Sequence, residues 1–170
     1  HARSRIVWLL ILMFSATLTG SIISNYEHAF EVMPVLVSFI PMLMDTGGNC
    51  GSQSSTLIIR GLAIDEIKFS DFFKVVFKEF RISIVVGIML GIANGIRIVL
   101  LNHDVYLAFV VSASIVVTFM ISKFVGCTLP IIAKKFKMDP AIMAAPLITT
   151  IVDTLAIMVY FSIASQIFNL

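Results

Sequence analysis

Long apolar segments alternate with short polar stretches along most of this chain. They cover about residues 6–24, 33–59, 82–101, 105–132 and 139–168. Each segment approaches or exceeds the ~20 apolar residues that an α-helix needs to cross a bilayer. The pattern predicts an all-α integral membrane protein with five transmembrane helices in one domain.

A basic and aromatic segment separates the second and third apolar runs. Between residues 60 and 81 the chain gathers three lysines and two arginines, and phenylalanines recur among them at helical spacing. This pattern is typical of an amphipathic helix in the membrane interface, which we place at about 66–81 and interpret as a connecting helix. Glu79 follows Lys78 there, and we expect it to be a solvated partner of that lysine.

The distribution of basic residues predicts the orientation. Lysine and arginine concentrate before the first span, in the 60–81 segment and at 134–137, whereas the 25–31 and 102–104 loops contain neither. By the positive-inside rule, the N-terminus is cytoplasmic and the C-terminus lies outside a cell membrane. Because five spans in one chain cannot form a pair of inverted repeats, a symmetric pathway would need two chains.

Composition supports the membrane class and narrows the function. Hydrophobic residues make up 59% of the chain and charged residues 13%, a balance typical of membrane proteins. The net charge of +2 is too small to indicate a nucleic-acid partner. No nucleophile–base pair or phosphate-binding motif appears, so we do not expect an enzyme. Cys50 and Cys127 are expected to be unpaired, packed thiols.

Within the second span, residues 41–61 are unusually polar. In a helix, Asp45, Gly48, Ser52 and Thr56 fall on one stripe, with Asn49 beside it. A carboxylate at the bilayer centre costs about 2.5–3.5 kcal/mol, and such residues are functional by default. The stripe must therefore face another helix, a second copy of the chain, or water.

The fifth span carries a second costly carboxylate, Asp153. Thr149 and Thr150 lie one turn before it, and Pro146 frees backbone carbonyls nearby. Carboxylates, hydroxyls and carbonyls suit Mg²⁺ or Ca²⁺, and no Cys/His cluster favours zinc or copper. We expect this span to begin at Met138 or Asp139, with Asp139 as the N-cap.

Features of the third and fourth spans predict their packing. Gly87, Gly91 and Gly95 repeat at steps of four, which predicts a smooth strip for close helix packing. Lys123 and Pro130 interrupt the fourth span. We expect Pro130 to kink or end that helix.

Several motifs together resemble the transmembrane domain of MgtE-type magnesium channels. They are P-x3-D-T-G-G-N-x-G-x-Q at 41–53, Arg60-Gly61-Leu62-Ala63, Lys78-Glu79, Asn94-Gly95, Asp139-Pro140-Ala141 and P-L-x-T-T-x-x-D at 146–153. The resemblance covers nearly the whole chain. It implies a homodimer with five helices per subunit, and a cation path on the two-fold axis lined by the second and fifth helices.

The resemblance also implies roles for particular residues. Asp153 matches the family's principal magnesium-binding aspartate, and Gly48, Ser52 and Thr149 match positions lining the central site. The expected metal site adds Asp45, and the expected pore lining includes Asn49, Thr56, Ala145 and Pro146. The resemblance further implies Mg²⁺ as both the bound and the transported ion.

Two positions depart from the family pattern. Asp45 stands where glycine or another small residue is expected; it either adds two carboxylates to a dimeric pore or pairs with Arg60 or Lys123. Ala145 stands where some relatives carry asparagine. Relatives often have a cytoplasmic magnesium-sensing part ahead of the first span. This sequence opens on His1 and carries no such part, so we expect either a trimmed protein or a short family member.

Three functions remain open from the sequence. The first is a channel that conducts hydrated Mg²⁺ into the cytoplasm, with Glu27, Glu31 and Asp104 attracting ions at the outer mouth. The second is a transporter that exchanges Mg²⁺ for Na⁺ or H⁺, with Asp153 titrating. The third is a membrane anchor whose polar stripes join two copies without transport.

Overall fold

The structure is a bundle of helices, as the spacing of apolar residues predicts. The computed structural model describes residues 2–137 and 145–169. Within those ranges the α-helices are α1 (Ala2–Ser24), α2 (Glu27–Val32), α3 (Ile40–Ala63), α4 (Phe72–Asn102), α5 (Val105–Lys135) and α6 (Ala145–Phe168). Short 3₁₀ helices at Pro34–Phe39 and Phe69–Asp71 lead into α3 and α4. The all-α class is confirmed.

Three helices in the described ranges are long and apolar enough to cross a membrane. They are Phe69–Asn102, Val105–Lys135 and Pro146–Phe168, and they correspond to the third, fourth and fifth predicted spans. The apolar stretch Leu12–Ser24 within α1 is shorter. α3 has 24 residues, enough to cross, but its polar residues lower its hydropathy. Crossing by α1 and α3 therefore stays a prediction.

Several helix boundaries differ from those that the sequence predicts. The second apolar segment starts as the 3₁₀ helix Pro34–Phe39, and α3 begins only at Ile40. Residues 72–81 run without a break into the third apolar segment, so both belong to α4. Pro130 lies inside α5, which continues to Lys135, so the prediction that this proline could end the helix is wrong. The predicted start at Asp139 lies outside the described residues.

α4 and α5 form an antiparallel pair joined by a tight turn. His103 ends α4 in the left-handed conformation, with φ of 54°. Asp104 then caps α5, its carboxylate accepting a hydrogen bond from the Leu107 N–H at 2.9 Å. Along the pair, the glycine strip of α4 meets α5. The Ser112 hydroxyl donates to the Gly91 carbonyl at 2.8 Å, which confirms the predicted packing role of the strip.

α3 lies close against both α5 and α6 because glycines remove the side chains between them. A Cβ on Gly47 would stand 2.6 Å from Thr118 Cγ2 of α5 and 3.0 Å from Val152 of α6. A Cβ on Gly126 of α5 would overlap the carbonyl oxygen of Gly51. The helix axes can therefore approach more closely than side chains would permit.

One apolar core joins the loops to this bundle. The Tyr160 hydroxyl of α6 donates to the Leu36 carbonyl at 2.9 Å, and the Tyr26 and Phe161 rings stack at 4.7 Å. α1 lies against α6, where the hydroxyls of Thr19 and Thr154 are 2.7 Å apart. The two cysteines, Cys50 on α3 and Cys127 on α5, are free and buried, as predicted.

The contact of Gly126 with α3 predicts opposite effects for two glycine substitutions. Gly126→Ala is expected to lower the free energy of unfolding by about 1–3 kcal/mol, because the new methyl group would press against backbone that cannot move aside. Gly20→Ala in α1 is the control. A Cβ there has no neighbour within 4 Å, and alanine favours the helix. Thermal unfolding in detergent measures both, and an unchanged midpoint for Gly126→Ala would contradict the described contact.

Candidate functional site

The residues of α3 divide between two faces of the helix. Gly47, Gly51 and Ile58 are buried against the bundle. The polar stripe faces outward. Asp45, Asn49 and Thr56 are exposed, and Ser52 is half-buried. An open groove of about 560 Å³ runs along this side, lined by Asn49, Ser52, Gln53, Thr56 and Leu57. The chain therefore presents an uncovered polar surface on the helix with the lowest apolar content.

At one edge of the stripe, Gly48 meets the polar face of α6. A Cβ on Gly48 would stand 3.0 Å from Thr149 Cγ2 and 3.5 Å from Asp153 Oδ1. The missing side chain lets the α6 carboxylate and hydroxyl come directly against the α3 backbone. The structure thus brings Gly48 together with Thr149 and Asp153, which lie about a hundred residues further along the chain.

The Asp153 carboxylate is incompletely satisfied. Among the described residues, its Oδ1 atom is buried and has no hydrogen-bond partner. The Ser52 hydroxyl is also buried, and it has no hydrogen-bond partner within residues 2–137 and 145–169. Buried polar atoms are nearly always hydrogen-bonded, and each exception calls for an explanation such as a bound ion or water. Other buried polar atoms, such as the Thr118 hydroxyl, also lack a partner among the described residues, but Ser52 is on the stripe and Asp153 is beside it. Their oxygen atoms are chemically suited to a hard cation or to its water shell.

Two threonines shape the start of α6. The hydroxyls of Thr149 and Thr150 donate to the Pro146 carbonyl at 3.0 and 2.8 Å. Their hydrogens are thereby committed, while the oxygen lone pairs stay available to an incoming cation. Pro146 is exposed at the first turn of α6, and Ala145 is the first residue of that helix.

Asp45 lies at the other end of the stripe. Its side chain is exposed, and its Oδ1 accepts a hydrogen bond from the Asn49 amide at 3.0 Å. The alternative in which Lys123 pairs with Asp45 is wrong, because Lys123 pairs elsewhere. The hydrogen bond between Asp45 and Asn49 lies on one face of α3, because the two residues are four positions apart.

The partner of Lys123 is Glu79. Lys123 Nζ lies 2.9 Å from Glu79 Oε2, and both residues are buried. The prediction of Glu79 as a solvated partner of Lys78 is therefore wrong. The buried Ser54 hydroxyl also donates to Glu79 Oε2, at 3.2 Å. A lone lysine in an apolar span signals that a buried partner exists, but it does not identify that partner as Glu79.

Acidic and other metal-binding side chains are sparse in the part of the chain that the structure describes. Among the described residues, no group of three or more His, Cys, Asp or Glu side chains is arranged to hold a metal ion. Asp153 offers one carboxylate with hydroxyl neighbours. Such a sparse oxygen set suits an ion that keeps most of its water, as Mg²⁺ commonly does.

Comparisons with known proteins agree on one family. The family model of MgtE, described as a divalent cation transporter, matches residues 40–163. A magnesium transporter MgtE from Bacillus subtilis (strain 168) is 38% identical over 164 residues, which is 96% of this chain and 36% of that protein. The protein of the same name from Thermus thermophilus is 33% identical over 95% of this chain and 36% of its own length. The chain therefore spans just over a third of these relatives.

Because Oδ1 of Asp153 has no hydrogen-bond partner among the described residues, removal of this carboxylate has a predictable effect on the thermal midpoint. Asp153→Asn is expected to leave the thermal midpoint unchanged or raise it in magnesium-free detergent, because a partly buried charge without a partner is lost. If Asp153 were a structural acid, the substitution would lower the thermal midpoint.

Glu79→Gln serves as the matched comparison. It leaves Lys123 buried and unpaired, a change that costs about 3–5 kcal/mol in buried pairs. If Asp153→Asn lowers the thermal midpoint as much as Glu79→Gln does, Asp153 is a structural acid.

Proposed function

Because the chain belongs to the MgtE family of divalent cation transporters, we propose that two copies form a channel for hydrated Mg²⁺. The ion passes into the cytoplasm along the dimer axis. One observation carries the proposal, namely the buried Oδ1 of Asp153, which lies beside Gly48 and Thr149 and has no hydrogen-bond partner in the described part of the chain. A carboxylate left open in this way is poised for a cation.

Two copies supply what one chain lacks. A two-fold axis beside the α3–α6 junction would place two Asp153 carboxylates around one ion, and a single residue then offsets its +2 charge. The same contact would enclose the exposed groove of Asn49, Ser52 and Thr56. In such a dimer the polar stripe would line an enclosed, water-filled path.

The ligand chemistry favours retained water. Asp153 contacts the ion mostly through its hydration shell, and Gly48, Ser52 and Thr149 provide outer-shell oxygens. Asp45 adds one carboxylate from each copy along the same stripe, and each accepts a hydrogen bond from Asn49 of its own chain. Asn49, Thr56, Ala145 and Pro146 line the remaining path. Magnesium releases water reluctantly, so a wide polar path suits it better than a tight cage.

Charges near the loops would attract ions to the outer mouth. Glu27 and Glu31 are exposed and free to act in this way. Asp104 contributes less, because its carboxylate already caps α5. The basic ends lie on the opposite, cytoplasmic side, with the N-terminus inside and the C-terminus outside after five crossings.

The membrane potential is a sufficient driving force for uptake. A divalent ion gains about 4.6 kcal/mol per 100 mV of inside-negative potential, twice the value for a single charge. Accumulation of Mg²⁺ therefore needs no coupled Na⁺ or H⁺ movement.

Flux into liposomes tests this function. Liposomes carrying the chain are expected to take up Mg²⁺ when an inside-negative potential is imposed, without a Na⁺ or pH gradient. Asp153→Asn should abolish the uptake, because the carboxylates that offset the ion's charge are gone. Glu66→Gln, which neutralises an exposed carboxylate in the turn after α3 and outside the stripe, is the control. Uptake that needs a Na⁺ or H⁺ gradient would instead indicate exchange.

Cross-linking tests the dimer. Thr56→Cys, made with Cys50→Ala and Cys127→Ala, is expected to form a covalent dimer with a bis-maleimide cross-linker, because the two stripes face each other across the path. Met89→Cys, on an exposed apolar face of α4, should remain largely monomeric. The dimer-axis arrangement is wrong if Met89→Cys cross-links as well as Thr56→Cys does.

A further inference from the structure

A buried polar junction ties α3 to α4 and α5. Glu79 Oε2 of α4 accepts hydrogen bonds from Lys123 Nζ of α5 at 2.9 Å and from the Ser54 hydroxyl of α3 at 3.2 Å. Ser54 is fully buried, and each charged residue is 9% exposed. Glu79 and Lys123 belong to two apolar helices that are long enough to span a membrane. The three side chains therefore depend on one another for their polar contacts.

This junction lies on the side of α3 that faces away from the stripe. At about 100° per residue, Ser54 points roughly 160° away from Ser52 and Thr56, and about 180° away from Asp45. A contact that holds Ser54 inward therefore holds the stripe outward. The geometry couples a structural bond on one face to the candidate site on the other.

The remaining contacts on the inner face of α3 have little directional preference. Gly47 and Gly51 offer smooth backbone, and Ile58 packs through apolar atoms. Such contacts hold helices close but tolerate rotation, whereas a hydrogen bond to a charged acceptor is short and directional. Buried polar groups are best known for specifying register, even where they add little stability.

We infer that Glu79, Lys123 and Ser54 form a clamp that sets the rotation of α3 and so keeps its polar stripe directed toward the ion path. The functional consequence rests on the proposed channel, but the rotation itself can be measured without any ion flux. Glu79 and Lys123 position the α3 stripe and do not touch the ion.

Thiol labelling of the inner face measures the rotation. Ser55 is 1% exposed beside Ser54, so Ser55→Cys, combined with Cys50→Ala and Cys127→Ala, should react slowly with a maleimide in detergent. Adding Ser54→Ala removes the bond from α3 and leaves the ion pair intact. Labelling should then rise about tenfold, as expected for losing a hydrogen bond to a charged group.

Two further variants complete the labelling test. Ser114→Ala is the matched control, because the one side-chain hydrogen bond of this buried serine to a described residue goes to the Val110 carbonyl of its own helix. The double variant Glu79→Leu/Lys123→Met removes both charges together with the acceptor of the Ser54 hydrogen bond, and it avoids leaving one charge unpaired. It is expected to label like Ser54→Ala. If both folded variants label no faster than the control, the clamp is wrong.

Ion flux gives the second readout. In Ser54→Ala, the Mg²⁺ concentration for half-maximal uptake should rise several-fold at unchanged dimer content, because the stripe is misdirected. A merely structural loss would reduce the amount of folded dimer and leave that concentration unchanged, which would overturn the positioning role. If the unmodified chain shows no flux, the proposed channel fails, and the labelling result still decides the clamp.

Discussion

The close approach of α3 to α5 and α6 is the contact on which the rest of the arrangement depends. It exists because Gly47, Gly51 and Gly126 remove the side chains that would separate the helices. Without this approach, Gly48 could not lie against Thr149 and Asp153, and Ser54 could not reach Glu79. Small residues thus serve both packing and chemistry, since close backbones bring distant polar groups within contact distance.

The bundle treats its buried charges in two different ways. Glu79 and Lys123 satisfy each other, with Ser54 as a third member, and this junction connects three helices. Asp153 instead leaves a buried oxygen without a partner among the described residues. Burial of the Glu79–Lys123 pair and burial of Asp153 both carry a desolvation cost. Only the cost of the pair is offset by contacts among the described residues. The contrast is the basis for proposing a positioning role for Glu79 and Lys123 and an ion-binding role for Asp153.

Part of the candidate site could be predicted from the sequence. The stripe of Asp45, Gly48, Ser52 and Thr56 follows from helical periodicity alone, and the intramembrane position of Asp153 follows from hydropathy. The partner of Lys123 could not be predicted in this way. Glu79 lies in a basic, aromatic segment that reads as solvated, and only the continuity of α4 past residue 81 carries it into the bundle.

The sequence by itself determined the all-helical membrane class, the polar stripe, the glycine strip of α4 and the family, because each depends on local spacing or on short motifs. The tertiary structure alone decided which charges meet, where α3 begins and how Pro130 is accommodated within α5. Local patterns specify which face of a helix is polar, but not which neighbour that face meets. Pairing across helices depends on the axial shift and rotation of whole elements, and those are set by packing that is distributed over many residues.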